Sequence, residues 1–194
     1  MTGNLPNRHG IVNNTFIQPG KFSPDWYWHR RHVKGTTLYD EAKKAGMKTA
    51  ALLWPVTAKA DIDYNMPEIF ANRPWHHQIP VSLSNGSPRY QLEMNSKFGH
   101  IRNGLSQPEL DDFVLEATVE TIKTRKPELM LIHFVDLDPS VICTVFHQKK
   151  LRPRFTAMTS DSAESWKHST RRALLRIQLL PYLATTVHLM SLKW

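Results

Sequence analysis

The chain has 194 residues, of which 41% are hydrophobic, and a formal net charge of +8. This length allows one domain with a buried core, and the hydrophobic fraction is ordinary for a globular protein. The single cysteine, Cys143, excludes a disulfide-bonded scaffold. The longest apolar run is far shorter than the ~20 residues of a membrane-spanning helix. The first residues lack the apolar core of a signal peptide, which predicts a cytoplasmic location.

The positive charge is concentrated in one part of the chain. Residues 1–138 hold 16 Lys and Arg against 15 Asp and Glu, whereas residues 139–194 hold 9 against 2. A strongly basic protein often binds nucleic acid or an anionic membrane. Because the balance changes so abruptly, we expect residues 1–138 to form a domain and residues 139–194 to be a basic tail of a different kind.

An aromatic-rich loop is predicted near the N terminus. Residues 18–35 contain Pro, Gly and several aromatic residues without periodicity. Trp26, Tyr27 and Trp28 in this loop, and Trp54 further along, are side chains that can stack on a nucleobase or a sugar. They are equally suited to a hydrophobic core, and the sequence leaves both roles open.

A helix–strand unit follows the loop. Thr36 or Thr37 is suited to cap a helix over residues 38–45, and Gly46 can supply the left-handed residue that often ends a helix. Residues 48–54 are predicted to form a buried strand that a proline stops. This order of elements is typical of an α/β domain.

Residues 56–107 show little periodicity and contain several prolines and glycines. They are predicted to form a long surface excursion, a kind of segment that often makes a lid or a substrate wall. His76 and His77 lie within it. Adjacent side chains on a strand point to opposite faces, and no Cys or carboxylate stands at ligand spacing, so a surface or packing role is favoured over a metal site.

A second helix–strand unit is predicted over residues 107–135. Pro108 and the acids after it suit the first turn of a helix, and residues 129–135 read as a central apolar strand. One face of the helix is apolar or small: Leu110, Phe113, Val114, Ala117, Thr118, Thr121 and Ile122.

Two acids, Asp136 and Asp138, follow that strand. Ligands of open α/β sheets gather beyond the carboxyl ends of the strands. Because alternate side chains point the same way, one acid could bind a metal ion while the other supports it. Acids that merely cap the end of a strand are the alternative.

Asn13 and Asn14 follow His9 and Gly10 in a turn-like segment. Paired asparagines in turns usually make local hydrogen bonds. A side-chain amide that donates to a phosphate oxygen is the functional alternative. Patterns of a P-loop, a Rossmann glycine turn or a protease triad are not found in the sequence.

Several segments in order resemble the nucleotide pyrophosphatase/phosphodiesterase family of the alkaline phosphatase superfamily. Residues 2–14, Thr-Gly-Asn-Leu-Pro-Asn-Arg-His-Gly-Ile-Val-Asn-Asn, are similar to the family stretch Thr-Gly-x-x-Pro-x-x-His-Gly-Ile-x-x-Asn. The resemblance extends over residues 1–138. It continues through Ser-Pro-Asp-Trp-Tyr-Trp (23–28), Gly-Thr-Thr-Leu-Tyr-Asp-Glu-Ala (35–42), Ala-Leu-Leu-Trp-Pro (51–55) and Leu-Ile-His-Phe-Val-Asp-Leu-Asp (131–138).

The resemblance implies an α/β fold with a partial alkaline-phosphatase-like sheet flanked by helices. It also implies a hydrolase of phosphodiester or pyrophosphate bonds in nucleotides. Family members use two divalent metal ions, usually zinc, and a Thr or Ser nucleophile that forms a covalent intermediate. By their positions in the motifs, Asn14 is expected to hydrogen-bond the phosphate, Asp138 to bind a metal ion, and Trp54 to line the substrate pocket.

The sequence also departs from the family pattern. The family nucleophile and one metal-binding aspartate precede the Thr-Gly pair, in a segment that is not in this chain, so we expect an incomplete enzyme. Ile142 stands where a metal-binding histidine is expected four residues after Asp138, and the later Asp-His pair and the last histidine are not found in residues 139–194. We therefore expect negligible activity from this chain and little affinity for the metal ions.

A frameshift is our hypothesis for residues 139–194, which we then expect to have no native fold. With suitable synonymous codons, one base inserted after the codon of Asp138 makes the following residues Thr-Val-Arg-His-Met-Tyr-Gly, which restores the histidine. The change in charge at the same point is independent support.

Two other interpretations remain open. The chain could be a non-catalytic protein that binds nucleic acid or a protein partner through its basic tail, or a product without function that is poorly soluble and sensitive to proteases. The main interpretation predicts a nucleotide or phosphodiester substrate, no membrane span, and no role in binding nucleic acid.

Overall fold

The computed structural model describes residues 1–71 and 76–135, together with the backbone of residues 188–191. Asp136, Asp138 and Ile142 lie outside the described residues. The elements are α1 (Pro6–His9), a 3-10 turn (Arg30–His32), α2 (Leu38–Lys44), β1 (Thr49–Leu52), β2 (Tyr64–Met66), α3 (Gln78–Asn85), α4 (Pro88–Phe98), α5 (Glu109–Arg125), β3 (Leu129–Ile132) and β4 (His188–Ser191).

The strands form one sheet in the order β2-β1-β3-β4. β1 is parallel to both β2 and β3, and β4 is antiparallel to β3. A parallel sheet is normally covered on both faces, so its central strands are apolar throughout. β1 and β3 fit this rule, because every residue of both strands is buried.

Helices cover both faces of the sheet, which confirms the predicted α/β class. Because side chains alternate along a strand, successive residues of β1 and β3 belong to two different cores. One core joins β1, β2 and β3 to α4 and α5, and contains Ala50, Leu52, Met66, Met94, Val114, Met130 and Ile132. The other joins the sheet to α2, and contains Tyr39, Ala42, Ala51, Trp54, Ile62, Leu129 and Leu131.

Both predicted helix–strand units are present. Thr37 caps α2, because its side chain accepts from the Asp40 N–H while the Asp40 carboxylate accepts from the Thr37 N–H. Gly46 takes a left-handed φ of 77° just after that helix. In α5 the predicted apolar face is buried except for Ile122, which is partly buried, and the buried Val119 was not predicted.

The prediction of a long surface excursion over residues 56–107 is wrong. This segment contains β2, α3 and α4, and it contributes Tyr90 and Met94 to the core. One of its prolines starts a helix rather than breaking it: Pro88 is at the first position of α4, where a missing N–H costs nothing. β2 has only three residues, which is too short for a recognisable alternation.

Four residues of the basic tail take part in the sheet as β4. The hypothesis of a tail without native fold did not include this strand. β4 pairs with the backbone of β3, which would otherwise form an open edge of the sheet. The rest of the tail lies outside the described residues. Among the helices that the structure describes, none is both long and apolar enough to cross a membrane.

Candidate functional site at the carboxyl edge of the sheet

The three parallel strands end at one edge of the sheet, and the residues after them form the candidate site. Residues 53–56 follow β1, Glu68 lies two residues after β2, and His133 follows β3 directly. Side chains from distant parts of the chain are brought together here by the parallel arrangement of the strands.

The turn after β1 has an unusual backbone. Leu53 and Val56 have φ values of 48° and 58°, in the left-handed region that costs a side-chain-bearing residue about 1–2 kcal/mol. This conformation is especially rare for a β-branched residue such as Val56. Strain of this kind persists only where surrounding contacts over-determine it, and it is common at functional sites.

Hydrogen bonds to neighbouring strands hold this turn. The Leu53 N–H donates to the Met66 carbonyl at 2.7 Å. The Thr57 hydroxyl donates to the Trp54 carbonyl at 2.7 Å, and the buried Asn65 amide donates to the Thr57 carbonyl at 2.8 Å. The turn is therefore a rigid wall, not a free loop.

That wall borders an open groove of about 450 Å³, a size suited to a small ligand. Residues 1–4 also line this groove. Trp54 lines it but is only 4% exposed, because its ring also packs in the core beneath α2. Trp54 therefore offers little surface to a ligand, whereas Pro55 and Val56 are less buried.

His133 ties the end of β3 to the turn after β1. It is 5% exposed, and its Nδ1 lies 3.2 Å from the Leu53 carbonyl oxygen. Because a carbonyl only accepts, Nδ1 carries the hydrogen. Glu68 Oε2 is 3.9 Å from the same nitrogen, so β1, β2 and β3 all contribute to this cluster.

Asp111 fixes the segment that leads to the two acids predicted as metal ligands. It lies in the first turn of α5, is 4% exposed, and accepts the Val135 N–H at 2.9 Å. This bond joins α5 to the residue just before Asp136.

A profile of the type I phosphodiesterase / nucleotide pyrophosphatase family matches residues 1–141. The chain belongs to this family. No curated protein and no solved structure matches the chain. Family membership makes hydrolysis of phosphodiester or pyrophosphate bonds the reaction class, and the observed α/β sheet agrees with a partial alkaline-phosphatase-like fold.

Phosphodiesterases of this family are generally metal-dependent, but the described residues do not fit a metal ion. Within residues 1–71 and 76–135, no three His, Cys, Asp or Glu side chains come together. His133 and Glu68 are suitable ligand types, yet they form a pair only, and the hydrogen on His133 Nδ1 is directed to a carbonyl. Asp138, the ligand predicted from the phosphodiesterase motif, lies outside the described residues.

Asn14 lies in an exposed turn at the other end of the phosphodiesterase motif of residues 2–14. Its carbonyl accepts the Tyr27 N–H at 3.0 Å, and its N–H donates to the Asn13 side chain at 2.8 Å. Backbone bonds thus fix the turn and leave the Asn14 amide in solvent. Asn14 does not line the groove beside Trp54, so the described structure does not bring these two predicted residues together.

A charged clamp, made of Arg30, Thr37 and Asp40, lies beside the groove, which Thr37 lines. Arg30 Nη2 donates to Asp40 Oδ2 at 2.6 Å, and the same oxygen accepts from the Thr37 N–H and hydroxyl. Burial acts to raise the pKa of Asp40, but the Arg30 guanidinium and the two Thr37 donors outweigh it and hold that pKa below its ordinary value. The clamp joins the 3-10 turn to the start of α2.

Asp40→Asn is expected to destabilise the chain by about 1–2 kcal/mol at pH 7, because it removes a helix-capping carboxylate and a charge-assisted bond. A depressed pKa stabilises the fold above the unfolded value of about 3.9, and this contribution is lost as the pH falls through the folded pKa. The difference in the free energy of unfolding between parent and variant should therefore be smaller at pH 3 than at pH 7. Urea unfolding at both pH values measures this difference.

The matched control for that prediction is Asp61→Asn, since the Asp61 side chain is 83% exposed and its ion pair with Lys43 is long, at 3.8 Å. An equal loss in both variants, or a gap at Asp40 that does not depend on pH, would contradict the clamp.

Sequence reasoning missed the residues that tie the strand ends together: Glu68, Asp111 and His133. A polar residue inside the apolar run of residues 129–135 was a usable signal for His133. Nothing in the pattern of residues 56–107 distinguished Glu68, because its partner is close only in the folded chain.

Proposed function

We propose that this chain is part of a metal-dependent hydrolase of phosphodiester or pyrophosphate bonds in nucleotides, and that on its own it has negligible turnover. The family match over residues 1–141 carries the first part of the proposal. The second part rests on Ile142, which stands where the family motif has a metal-binding histidine.

The groove beside the strained turn is the proposed binding place for the nucleotide. Its position at the carboxyl edge of a parallel sheet supports this assignment, as does the rigid wall made by residues 54–56. Residues 2–4, the first part of the family motif, also line this groove. Trp54 is proposed to contact the ligand with the small part of its surface that is exposed.

Asn14, which lies outside the groove beside Trp54, is proposed to donate its side-chain amide to a phosphate oxygen that extends beyond that groove. The amide is solvent-exposed while the backbone of its turn is held by two hydrogen bonds. Because the backbone is already fixed, only the side-chain rotamers of Asn14 are restricted when the amide binds a phosphate oxygen.

Asp138 is proposed as a metal ligand, with zinc as the expected ion. When bound, such an ion would polarise a phosphoryl oxygen and neutralise its charge. No reaction step is assigned to it, because the described residues do not provide a complete ligand set.

The test uses AMP as the probe and titration calorimetry on the full chain. Asn14→Ala is expected to weaken one AMP site about fivefold, because it removes one hydrogen bond to a charged group at an exposed position. In parallel, hydrolysis of bis(p-nitrophenyl) phosphate with added Zn²⁺ should not exceed the protein-free blank.

Asn103→Ala is the matched control, since Asn103 is, like Asn14, an exposed amide outside the groove, but belongs to none of the segments that resemble the phosphodiesterase motifs. If both variants bind AMP as the parent does, the phosphate role of Asn14 is wrong. If the parent hydrolyses the ester at a rate typical of enzymes, the proposed inactivity is wrong and a complete site must exist.

The second candidate function is binding of nucleic acid or a partner by the basic tail, which the excess of Lys and Arg in residues 139–194 favours. Binding of single-stranded DNA that weakens steeply with salt would support it. Under the main proposal such binding is weak, and replacing Arg171 and Arg172 by Gln leaves it unchanged.

A further inference from the structure

A second, larger groove lies beside the 3-10 turn. Its volume is about 730 Å³, and it shares no lining residue with the groove beside Trp54. Four aromatic side chains form its apolar walls: Phe16, Trp26, Trp28 and Phe70. This size and lining are those of a small-ligand site.

The two tryptophans form a stacking platform. Their rings are 4.9 Å apart with an interplanar angle of 4°, and Phe70 packs edge-on against Trp28 with centroids 5.5 Å apart. Trp28 is 9% exposed, whereas Trp26 is 39% exposed. The inner ring is thus fixed, and the outer ring can extend the stack to a planar ligand.

Two residues that line this groove, Trp28 and His32, carry buried donors without acceptors in the described part of the chain. Trp28 Nε1 and His32 Nδ1 have no hydrogen-bond partner among the residues that the structure describes. Arg31 Nε donates to His32 Nε2 at 3.4 Å, so in a neutral ring the hydrogen of His32 is on Nδ1. Burial and the charge of Arg31 lower the pKa of His32, which keeps the ring neutral at pH 7.

A buried donor without an acceptor costs about 1–3 kcal/mol. Both donors are buried beneath the groove surface, so each would gain from a ligand's acceptor oxygen or nitrogen once a small shift of its ring admits that acceptor. This is the second observation, independent of the aromatic walls, that points to a ligand.

One cation that lines the groove, Arg31, is not neutralised by a carboxylate among the described residues. Arg31 is exposed and makes no ion pair within the described part of the chain, unlike its neighbour Arg30. Asp25 also lines the groove, but Lys21 Nζ lies 2.8 Å from its carboxylate and Gln18 Nε2 donates to it at 3.0 Å. The carboxylate is therefore compensated, and Arg31 is available to an anion.

We propose that this groove is a second nucleotide site, which takes a nucleoside monophosphate with its base on Trp26 and its acceptor groups toward Trp28, His32 and Arg31. The inference does not depend on hydrolytic activity or on the groove beside Trp54.

The test is titration calorimetry of the full chain with AMP, adenosine and inorganic phosphate. AMP should bind at this groove more tightly than adenosine or phosphate alone, because only AMP has both a planar base to stack on Trp26 and a charged phosphate to contact Arg31. Arg31→Gln and Trp26→Ala should each weaken this site about tenfold, whereas Arg89→Gln and Phe22→Ala, exposed residues outside the groove, should leave it unchanged.

The outcomes separate the two sites. Binding that responds to Arg31→Gln but not to Asn14→Ala supports the second site even if the proposed function fails. Binding that responds to Asn14→Ala alone, or AMP binding no tighter than that of phosphate, overturns it. Thermal unfolding of each variant identifies loss through misfolding, and Arg31→Gln, at an exposed position, keeps the test decisive if Trp26→Ala unfolds.

Discussion

Gly86→Ala is expected to destabilise the chain by about 3 kcal/mol or more, because the added methyl group has no space. A Cβ at Gly86 would come within 3.0 Å of the Asn65 carbonyl oxygen, the Gln91 side chain and the Pro67 ring. Two of these partners belong to the backbone or to a rigid ring, so a rotamer change cannot relieve the overlap. Chemical denaturation of parent and variant measures the loss.

Gly46→Ala is the matched control for that substitution. Gly46 has a φ of 77° and nothing within 4 Å of an added Cβ, so only backbone strain of about 1 kcal/mol is expected. Equal losses in the two variants would mean that the packing of residue 86 against β2 is not as tight as the structure shows.

The second large effect is expected for Leu52→Ala, at about 2–5 kcal/mol. Leu52 is 0% exposed in the central strand of the sheet and packs in the core with Met94 and Val114. Removing its branched end leaves a cavity that strands on both sides prevent from closing. The measurement is again the free energy of unfolding, from urea titration.

Leu92→Ala provides the comparison, because Leu92 is 54% exposed on α4. Its loss should be under about 0.5 kcal/mol, as is usual for surface positions. A loss at Leu52 no larger than the loss at Leu92 would contradict the central position of β1.

Two helix–strand units could be predicted from the sequence because they carry redundant local signals. Thr37 and Gly46 mark both ends of α2, and the acids before Phe113 mark the start of α5. Such signals depend on local interactions, so they can be recognised in the sequence before the fold is known.

Residues 56–107 could not be predicted, for the opposite reason. α3 and α4 are stabilised by contacts that are distant in sequence, such as the bond between Tyr90 and Thr121 and that between the Gln91 amide and the Asn65 carbonyl. Prolines in this segment were interpreted as breaks, although Pro88 in fact begins α4.

The candidate site was only partly accessible from sequence. Asn14 and Trp54 were predicted from family motifs, and the motifs could not show that Trp54 is almost completely buried. The left-handed backbone at Leu53 and Val56 could not be predicted, because leucine and valine rarely adopt that conformation and no residue type in the turn indicates it. The orphan donors of Trp28 and His32 exist only in the folded chain.

The segment after β1 connects the two grooves. Residues 54–56 line the groove beside Trp54, and two residues later the backbone of Ala58 is hydrogen-bonded to Trp28 and Arg30, at 3.1 and 2.9 Å. Trp28 lines the second groove. An insertion or deletion between Val56 and Ala58 is therefore expected to alter both grooves at once, so the length of this segment should be constrained.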